Sequence, residues 1–227
     1  MPFVGIKGLC DTLWFGGINL TGIRAMKKIL VLGVGNVLWA DEGFGVRAVE
    51  ALHAGYRFDE QVTLMDGGTQ GLSLYPYLMG ASHVLVFDAI DFHLPPASLK
   101  VLRDDEVPVY CSTKISPHQT TLSEVLAHAY LLGTVPEKIT VIGVQPEVLD
   151  DFGGSLRESV KKRIPEAVAL AVEELAGWGI EVVKRAADEV ATPLNAQVLA
   201  LDMYENERPS EEAACRFGDA RFLSMGK

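Results

Sequence analysis

Three residues whose side chains can bind a metal or exchange a proton follow predicted strands: Glu42, Asp88 and His118. We expect each to lie just beyond the carboxyl end of its strand, and in an open parallel sheet ligands bind at that edge. Carboxylates and neutral imidazole offer lone pairs to nickel, zinc or iron, and three protein ligands leave positions open for water or a substrate group. These residues are therefore candidates for a divalent-metal site and for catalysis.

Each of the three also has an ordinary structural explanation. Glu42 could interact with the positive end of the helix that follows it, which is worth about 0.3–1 kcal/mol. Asp88 could be satisfied by a cap or a salt bridge, since an unpaired charge beside an apolar strand is costly. His118, after Ser116-Pro117, could be a solvated loop residue. The argument for a site is that all three fall at strand ends.

Other residues near these positions are candidates for supporting roles. His93, in the loop after Asp88, is placed to act as a spare ligand. Asp41 and Asp66 could orient ligands or accept a proton. The turn from Asp66 to Thr69 has two interpretations, a reversal that its glycines permit and a flexible clamp beside the site.

From Lys28 onward, short apolar runs alternate with helical periods, which is typical of an α/β fold with a parallel sheet covered by helices. The first run, ending in Gly33, predicts a central strand buried on both faces. We predict strands at 29–32, 62–65, 83–87 and 139–144, and an edge strand at 98–103. Helices are predicted to begin near Asp41-Glu42, Gly71, Ser116 and Ser155, the last with a kink or junction at Pro165.

The segment Gly33-Val34-Gly35 stands where a dinucleotide-binding fingerprint would begin. Leu38 replaces its third glycine, and no acidic residue follows at the required distance. A tight exit from the first strand is the simpler interpretation. The motifs of nucleophile elbows, zincins and phosphate-binding loops are all missing from the sequence.

The overall composition excludes several functional classes. The formal net charge of −10 and the isoelectric point near 5.0 argue against nucleic acid or an anionic membrane as partner. The 3 cysteines are widely spaced and form no C-x-x-C pair, which favours a reducing compartment. No apolar run approaches the roughly 18 residues of a membrane span. We therefore expect a cytoplasmic protein.

Three regions are predicted along the chain. Residues 1–26 are interpreted as an N-terminal extension that could stem from an over-long start assignment, with Met26 directly before the first strand. Residues 27–183 form the predicted domain. Residues 184–227 have scattered charges and no sustained period, which predicts a polar C-terminal tail that packs weakly or is disordered.

Residues 28–182 resemble the hydrogenase maturation endopeptidases, the nickel-dependent processing proteases of NiFe-hydrogenase large subunits. The resemblance rests on the motifs G-N-x-L-x-x-D-E-G-x-G, D-G-G-T and S-P-H-Q in this order. It implies a three-layer α/β fold with a twisted, mostly parallel five-stranded sheet and helices on both faces. It also implies that Glu42, Asp88 and His118 take the places of the family's metal-binding residues.

The implied activity is removal of a short C-terminal peptide from the nickel-loaded large-subunit precursor, most closely as in members that serve uptake hydrogenases. Our hypothesis is that the three residues bind the precursor's nickel, which would polarise the peptide carbonyl or lower the pKa of a bound water. We expect a monomer whose partner is that precursor. A non-catalytic nickel-binding maturation chaperone is the alternative, and a nucleotide-binding protein is a second one.

Overall fold

A five-stranded sheet forms the centre of the computed structural model, which describes residues 27–107, 120–196 and 199–207. The strands are β1 (Ile29–Val34), β2 (Tyr56–Arg57), β3 (Val62–Gly68), β4 (His83–Ala89), β5 (Leu99–Arg103), β6 (Lys138–Val144) and β7 (Val183–Lys184). The helices are α1 (Phe44–Gly55), α2 (Tyr75–Gly80), α3 (Thr120–Leu132), α4 (Glu158–Lys161), α5 (Ile164–Gly177) and α6 (Leu201–Glu207). Short 3-10 helices cover Ala40–Gly43 and Gly71–Leu74.

The sheet has the strand order β3-β1-β4-β6-β5. The pairs β1–β3, β1–β4 and β4–β6 are parallel, whereas β5 runs antiparallel to β6 at the edge. The predicted mostly parallel sheet and its edge strand are thus confirmed. β1 is an interior strand with a neighbour on each side and all of its residues buried, as predicted, while β4 is the middle strand of the sheet. The small pair β2–β7 is separate.

Alternate residues of each strand face two different helical layers. Ile29 and Val31 of β1 belong to one core cluster with Phe44 of α1 and Ala171 of α5. Leu30 of β1 belongs to the other cluster, which also holds buried residues of α2 and α3. This division follows from the period of two along a strand. Helices cover both faces, as the sequence predicted.

The chain enters α5 through Pro165, in its first turn, where a missing N–H costs nothing. The predicted interruption of this helical region is therefore a junction between α4 and α5. No helix in the described part of the chain is long and apolar enough to span a bilayer.

The segment after β7 is held more closely than its composition suggested. Arg185 donates to the carbonyls of Gly55 and His53, and the imidazole Nε2 of His53 lies 2.8 Å from the carbonyl of Thr192. These contacts join the segment to the end of α1 by hydrogen bonds, which hydropathy does not reveal. Residues 1–26 and 208–227 lie outside the described residues, and the three-region division stays a prediction.

Candidate active site

Glu42 and Asp88 are both buried, each with 7% of its surface exposed, at the carboxyl edge of the sheet. Glu42 lies in the 3-10 helix between β1 and α1. Asp88 is the penultimate residue of β4, within the strand and not beyond its end, because its pairing with β6 continues to Ala89. The 3-10 helix packs directly against β4, which places the two carboxylates at the same part of the edge.

Gly33, Gly35 and Gly45 make this close packing possible. A Cβ on Gly45 would lie 2.2 Å from the carbonyl oxygen of Val34 and 2.3 Å from that of Phe87. A Cβ on Gly35, whose φ is +133°, would lie 1.8 Å from the carbonyl oxygen of Glu42. Only glycine allows backbone contacts this short. The start of α1 therefore rests on the ends of β1 and β4.

The same glycines argue against the nucleotide-binding alternative. A Cβ on Gly33 would lie 2.3 Å from the carbonyl oxygen of Gly45, so this glycine also serves helix packing. The backbone of Glu42 fills the space above Gly35, where a dinucleotide site would need room for phosphate. The interpretation of Gly33 and Gly35 as a tight strand exit fits the structure.

Asp41, beside Glu42, is fully buried and organises a neighbouring loop. Its Oδ2 accepts hydrogen bonds of 2.9 Å from the N–H groups of Glu147 and Val148, and its Oδ1 accepts one of 2.7 Å from Arg157. A carboxylate with three backbone donors is held in a fixed orientation. Asp41 thus ties the loop after β6 to the 3-10 helix that carries Glu42.

Backbone hydrogen bonds reinforce this connection. Ala40 donates to the carbonyl of Gly154, and Asp41 donates to that of Val148, both at 3.2 Å. Ala40 has a φ of 40°, which is rare for a residue with a side chain. Such a conformation persists where the surrounding contacts determine it. The 3-10 helix is therefore constrained independently of any ligand.

The loop after β4 is shaped by Gln145, a buried residue that the sequence analysis did not single out. Its Oε1 accepts hydrogen bonds from the N–H groups of Phe92 and Leu94, and its Nε2 donates to Asp91. His93, the predicted spare ligand, has a side chain that is 91% exposed and lies beside Asp91. The structure thus separates His93 from the buried carboxylates.

Asp66 lies near the end of β3 and is half-buried. Its Oδ1 accepts a 2.7 Å hydrogen bond from the N–H of Gly68, which has a φ of +45°. Burial raises the pKa of Asp66 above its usual value, although hydrogen bonds from Gly68 and Asn195 act in the opposite direction. The predicted reversal at Asp66 is thus wrong, because β3 continues to Gly68 with an irregular register against β1, while the role of this segment as a clamp stays a hypothesis.

His118 lies outside the described residues, two positions before α3 begins. Among the described residues, no three histidine, cysteine, aspartate or glutamate side chains cluster closely enough to hold a metal. The donor chemistry of Glu42 and Asp88 suits a divalent transition metal, and it needs a third ligand from elsewhere. The ligand set that the sequence indicates, with His118 as its third member, stays a prediction.

A cavity of about 210 Å³ lies at a different place, between α1 and residues 191–201. Its lining includes Glu50, His53 and Asn195, and neither Glu42 nor Asp88. It is therefore separate from the candidate site.

Comparison with known proteins gives a consistent result. The family model described as hydrogenase maturation protease matches residues 46–174, a range that includes Asp88 and begins shortly after Glu42. The hydrogenase expression/formation protein HupD of Rhodobacter capsulatus is 51% identical over 198 residues, which cover 87% of this chain and 93% of that protein. The hydrogenase 2 maturation protease of Escherichia coli K12 is 40% identical over 161 residues, which cover 70% of this chain and 98% of that protein.

The fold agrees with these sequence matches. The solved structure of the E. coli hydrogenase maturating endopeptidase HybD superposes with a TM-score of 0.66 at 40% identity, covering 70% of this chain and 98% of that one. A sheet edge with two buried carboxylates, on a fold shared with a maturating endopeptidase, agrees with the motifs found in the sequence. The chain belongs to the hydrogenase maturation protease family.

Proposed function

We propose that this protein removes a short C-terminal peptide from the nickel-loaded precursor of a NiFe-hydrogenase large subunit of the uptake type. Glu42, Asp88 and His118 bind the nickel that the precursor carries. The metal is thus part of the substrate, and the protein supplies the ligands that recognise it.

The observation that carries this proposal is the burial of Glu42 and Asp88 together at one edge of the sheet. Two buried carboxylates at one edge favour a bound cation, because like charges repel each other and a cation beside both offsets that repulsion. The 3-10 helix holds Glu42 in place before substrate arrives, through the bonds of Ala40 and Asp41 to the loop after β6. Such preorganisation is what an accurately placed cleavage reaction requires.

The proposed recognition links cofactor loading to cleavage. A precursor without nickel offers no cation to Glu42, Asp88 and His118, so its peptide bond is not brought into register with the site. A bound nickel ion supplies Lewis-acid chemistry at the scissile amide. The three side chains orient the ion and so determine which bond is presented.

We infer that the reaction takes place in the cytoplasm, with one copy of the protein acting on one precursor molecule. The net charge of −10 disfavours nucleic acid and anionic membranes as partners. Because the protein is acidic, it attracts a cation such as the metal that the substrate carries.

The test is the intact mass of a purified large-subunit precursor, nickel-loaded and nickel-free, after incubation with this protein. We expect loss of a C-terminal peptide from the nickel-loaded form alone. An unchanged mass in both forms, with binding retained, would instead support the non-catalytic maturation chaperone. Cleavage of both forms would refute recognition through nickel.

Variants assign the ligand roles. Glu42→Gln, Asp88→Asn and His118→Ala are each expected to abolish processing, since each removes one ligand from a set of three. Glu60→Gln is the control, because Glu60 is exposed in the loop before β3, at the opposite end of the sheet. Normal processing by any of the three variants would remove that residue from the proposed site.

A further inference from the structure

The C-terminal segment of the described chain reaches back to the elements that surround Glu42. We call residues 191–196 and 199–207 together the C-terminal strap. It includes α6 and lies across α1. The buried guanidinium of Arg47 on α1 donates to the strap's carbonyl of Leu199 and to Glu50 on its own helix. The strap is therefore attached through a side chain that is only 3% exposed.

Asn195 connects the strap to two further positions. Its Nδ2 donates a 2.9 Å hydrogen bond to Oε1 of Glu50. Asn195 also lies near Asp66, close to the end of β3, and acts to lower the pKa of that carboxyl. The end of β3 is joined to the exit of β1, because Gly35 donates to the carbonyl of Gly68 at 3.1 Å. One strap residue thus bonds to α1 and lies near the end of β3.

Glu205 connects the strap to the loop after β6 and to α4. Its Oε1 accepts a 2.6 Å hydrogen bond from the hydroxyl of Ser155, and its Oε2 lies 2.7 Å from Nζ of Lys161 on α4. Ser155 is two residues from Arg157, whose N–H donates to Asp41. The strap therefore supports the loop that Asp41 ties to the 3-10 helix.

These attachments reach three elements connected to the carrier of Glu42: α1 follows it, the end of β3 is bonded to Gly35 upstream of it, and the loop after β6 is bonded to it. We propose that the C-terminal strap is a positioning element for the cleavage reaction, acting through Asn195 and Glu205 on the placement of Glu42. This rests on the proposed function, since it concerns the same site. Asn195 bonds to Glu50, and Glu205 bonds to Ser155 and Lys161, so both residues act on Glu42 through other residues.

The role predicts a kinetic pattern that differs from that of a docking surface. Weaker bracing misplaces a ligand during the reaction and leaves the substrate-binding surface intact, so kcat falls and KM does not. We expect Asn195→Leu and Glu205→Gln each to lower kcat about tenfold, with KM changed less than about twofold. Asp202→Asn, an exposed position on the same helix as Glu205, is the matched control and is expected to cleave like the parent protein.

Exchanging the two charges of the Glu205–Lys161 ion pair tests whether restoring the pair also restores kcat. Glu205→Lys alone opposes Lys161, whereas Glu205→Lys with Lys161→Glu restores the ion pair. We expect the double variant to recover most of kcat. Thermal denaturation of each variant checks that the fold is retained.

Hydrogen exchange gives a readout that does not depend on cleavage. The N–H groups of Asp41 and Glu42 donate to the carbonyls of Val148 and Trp39, so looser bracing should speed their exchange in Asn195→Leu and Glu205→Gln but not in Asp202→Asn. Unchanged exchange together with unchanged kcat would overturn the proposal. A rise in KM at constant kcat would also overturn it, because the strap would then belong to the docking surface. If the parent protein cleaves no precursor, the proposed function fails while the exchange result still decides the role of the strap.

Discussion

Oδ1 of Asp41 accepts a 2.7 Å hydrogen bond from the backbone N–H of Arg157, which is 116 residues further along the chain. The other carboxylate oxygen accepts from Glu147 and Val148, so one buried side chain holds both ends of the loop after β6. Asp41, the first residue of the D-E-G motif, thus holds the loop after β6 against the 3-10 helix. Glu42 beside it is the residue proposed to bind metal. Adjacent acidic residues have different roles here.

Asp41→Asn is expected to lower the free energy of unfolding by about 2–4 kcal/mol. An amide has one acceptor oxygen where the carboxylate has two, so at least one part-buried N–H among Glu147, Val148 and Arg157 loses its partner. Urea denaturation measures the change. Asp150→Asn, exposed in the same loop, is the control and should stay within about 0.5 kcal/mol of the parent. Equal stability of the two variants would mean that the loop is held by its other contacts.

Gly45→Ala and Gly55→Ala, on the same helix, are expected to differ in sign. A Cβ at position 45 would meet the carbonyl oxygens of Val34 and Phe87 at 2.2 and 2.3 Å, so backbone must move, and we expect a loss of about 3 kcal/mol. A Cβ at position 55 meets nothing within 4 Å, and alanine there should be neutral or stabilising by up to about 1 kcal/mol. Denaturation midpoints provide the comparison. A tolerated alanine at position 45 would contradict the close packing of α1 on β4.

The architecture was predictable where apolar residues form patterns. The runs before Gly33 and Asp88 predicted β1 and β4, and Pro165 predicted the junction between α4 and α5. The position of Glu42 and Asp88 at one edge followed from the rule for parallel strands and from the family resemblance. These features depend on local sequence or on a general rule of topology.

The polar connections were not predictable in this way. Gln145 binds the loop after β4, Asn195 bonds to Glu50, and Glu205 bonds to Ser155. The residues of each pair are far apart in the sequence and produce no periodic pattern. A single sequence therefore does not indicate that they are in contact. For the same reason, composition predicted weak packing for the segment after β7, and its hydrogen bonds are visible only in the structure.

Asp66 should make the protein's stability fall as the pH rises above the range of an ordinary aspartate. Burial raises its pKa above 3.8, so the folded state keeps this proton to a higher pH than the unfolded state does. The stabilisation is complete below the unfolded pKa and is lost as the pH rises through the folded pKa. Asp66→Asn removes this component. We therefore expect the stability of the parent relative to Asp66→Asn to decrease as the pH is raised from about 3.5 to 7.

Denaturant titrations of both proteins at several pH values measure this difference. Asp105→Asn, at an exposed position after β5, is the control and should show no such trend relative to the parent. A constant difference between the parent and Asp66→Asn would show that Asp66 titrates alike in both states.

Acid should release the C-terminal strap from α4 through protonation of Glu205. Burial pushes the pKa of Glu205 upward, but hydrogen bonds from Lys161 and Ser155 outweigh it and hold the pKa below 4.5. A depressed carboxyl pKa stabilises the folded state above the unfolded value, and this stabilisation is lost as the pH falls through the folded value. Hydrogen exchange of residues 199–207, corrected for the intrinsic rate at each pH, should therefore show falling protection below about pH 4.5. In Glu205→Gln, protection of these residues should be low at every pH, whereas in Asp202→Asn it should follow the parent. If protection in Glu205→Gln still falls in acid, another group causes the release.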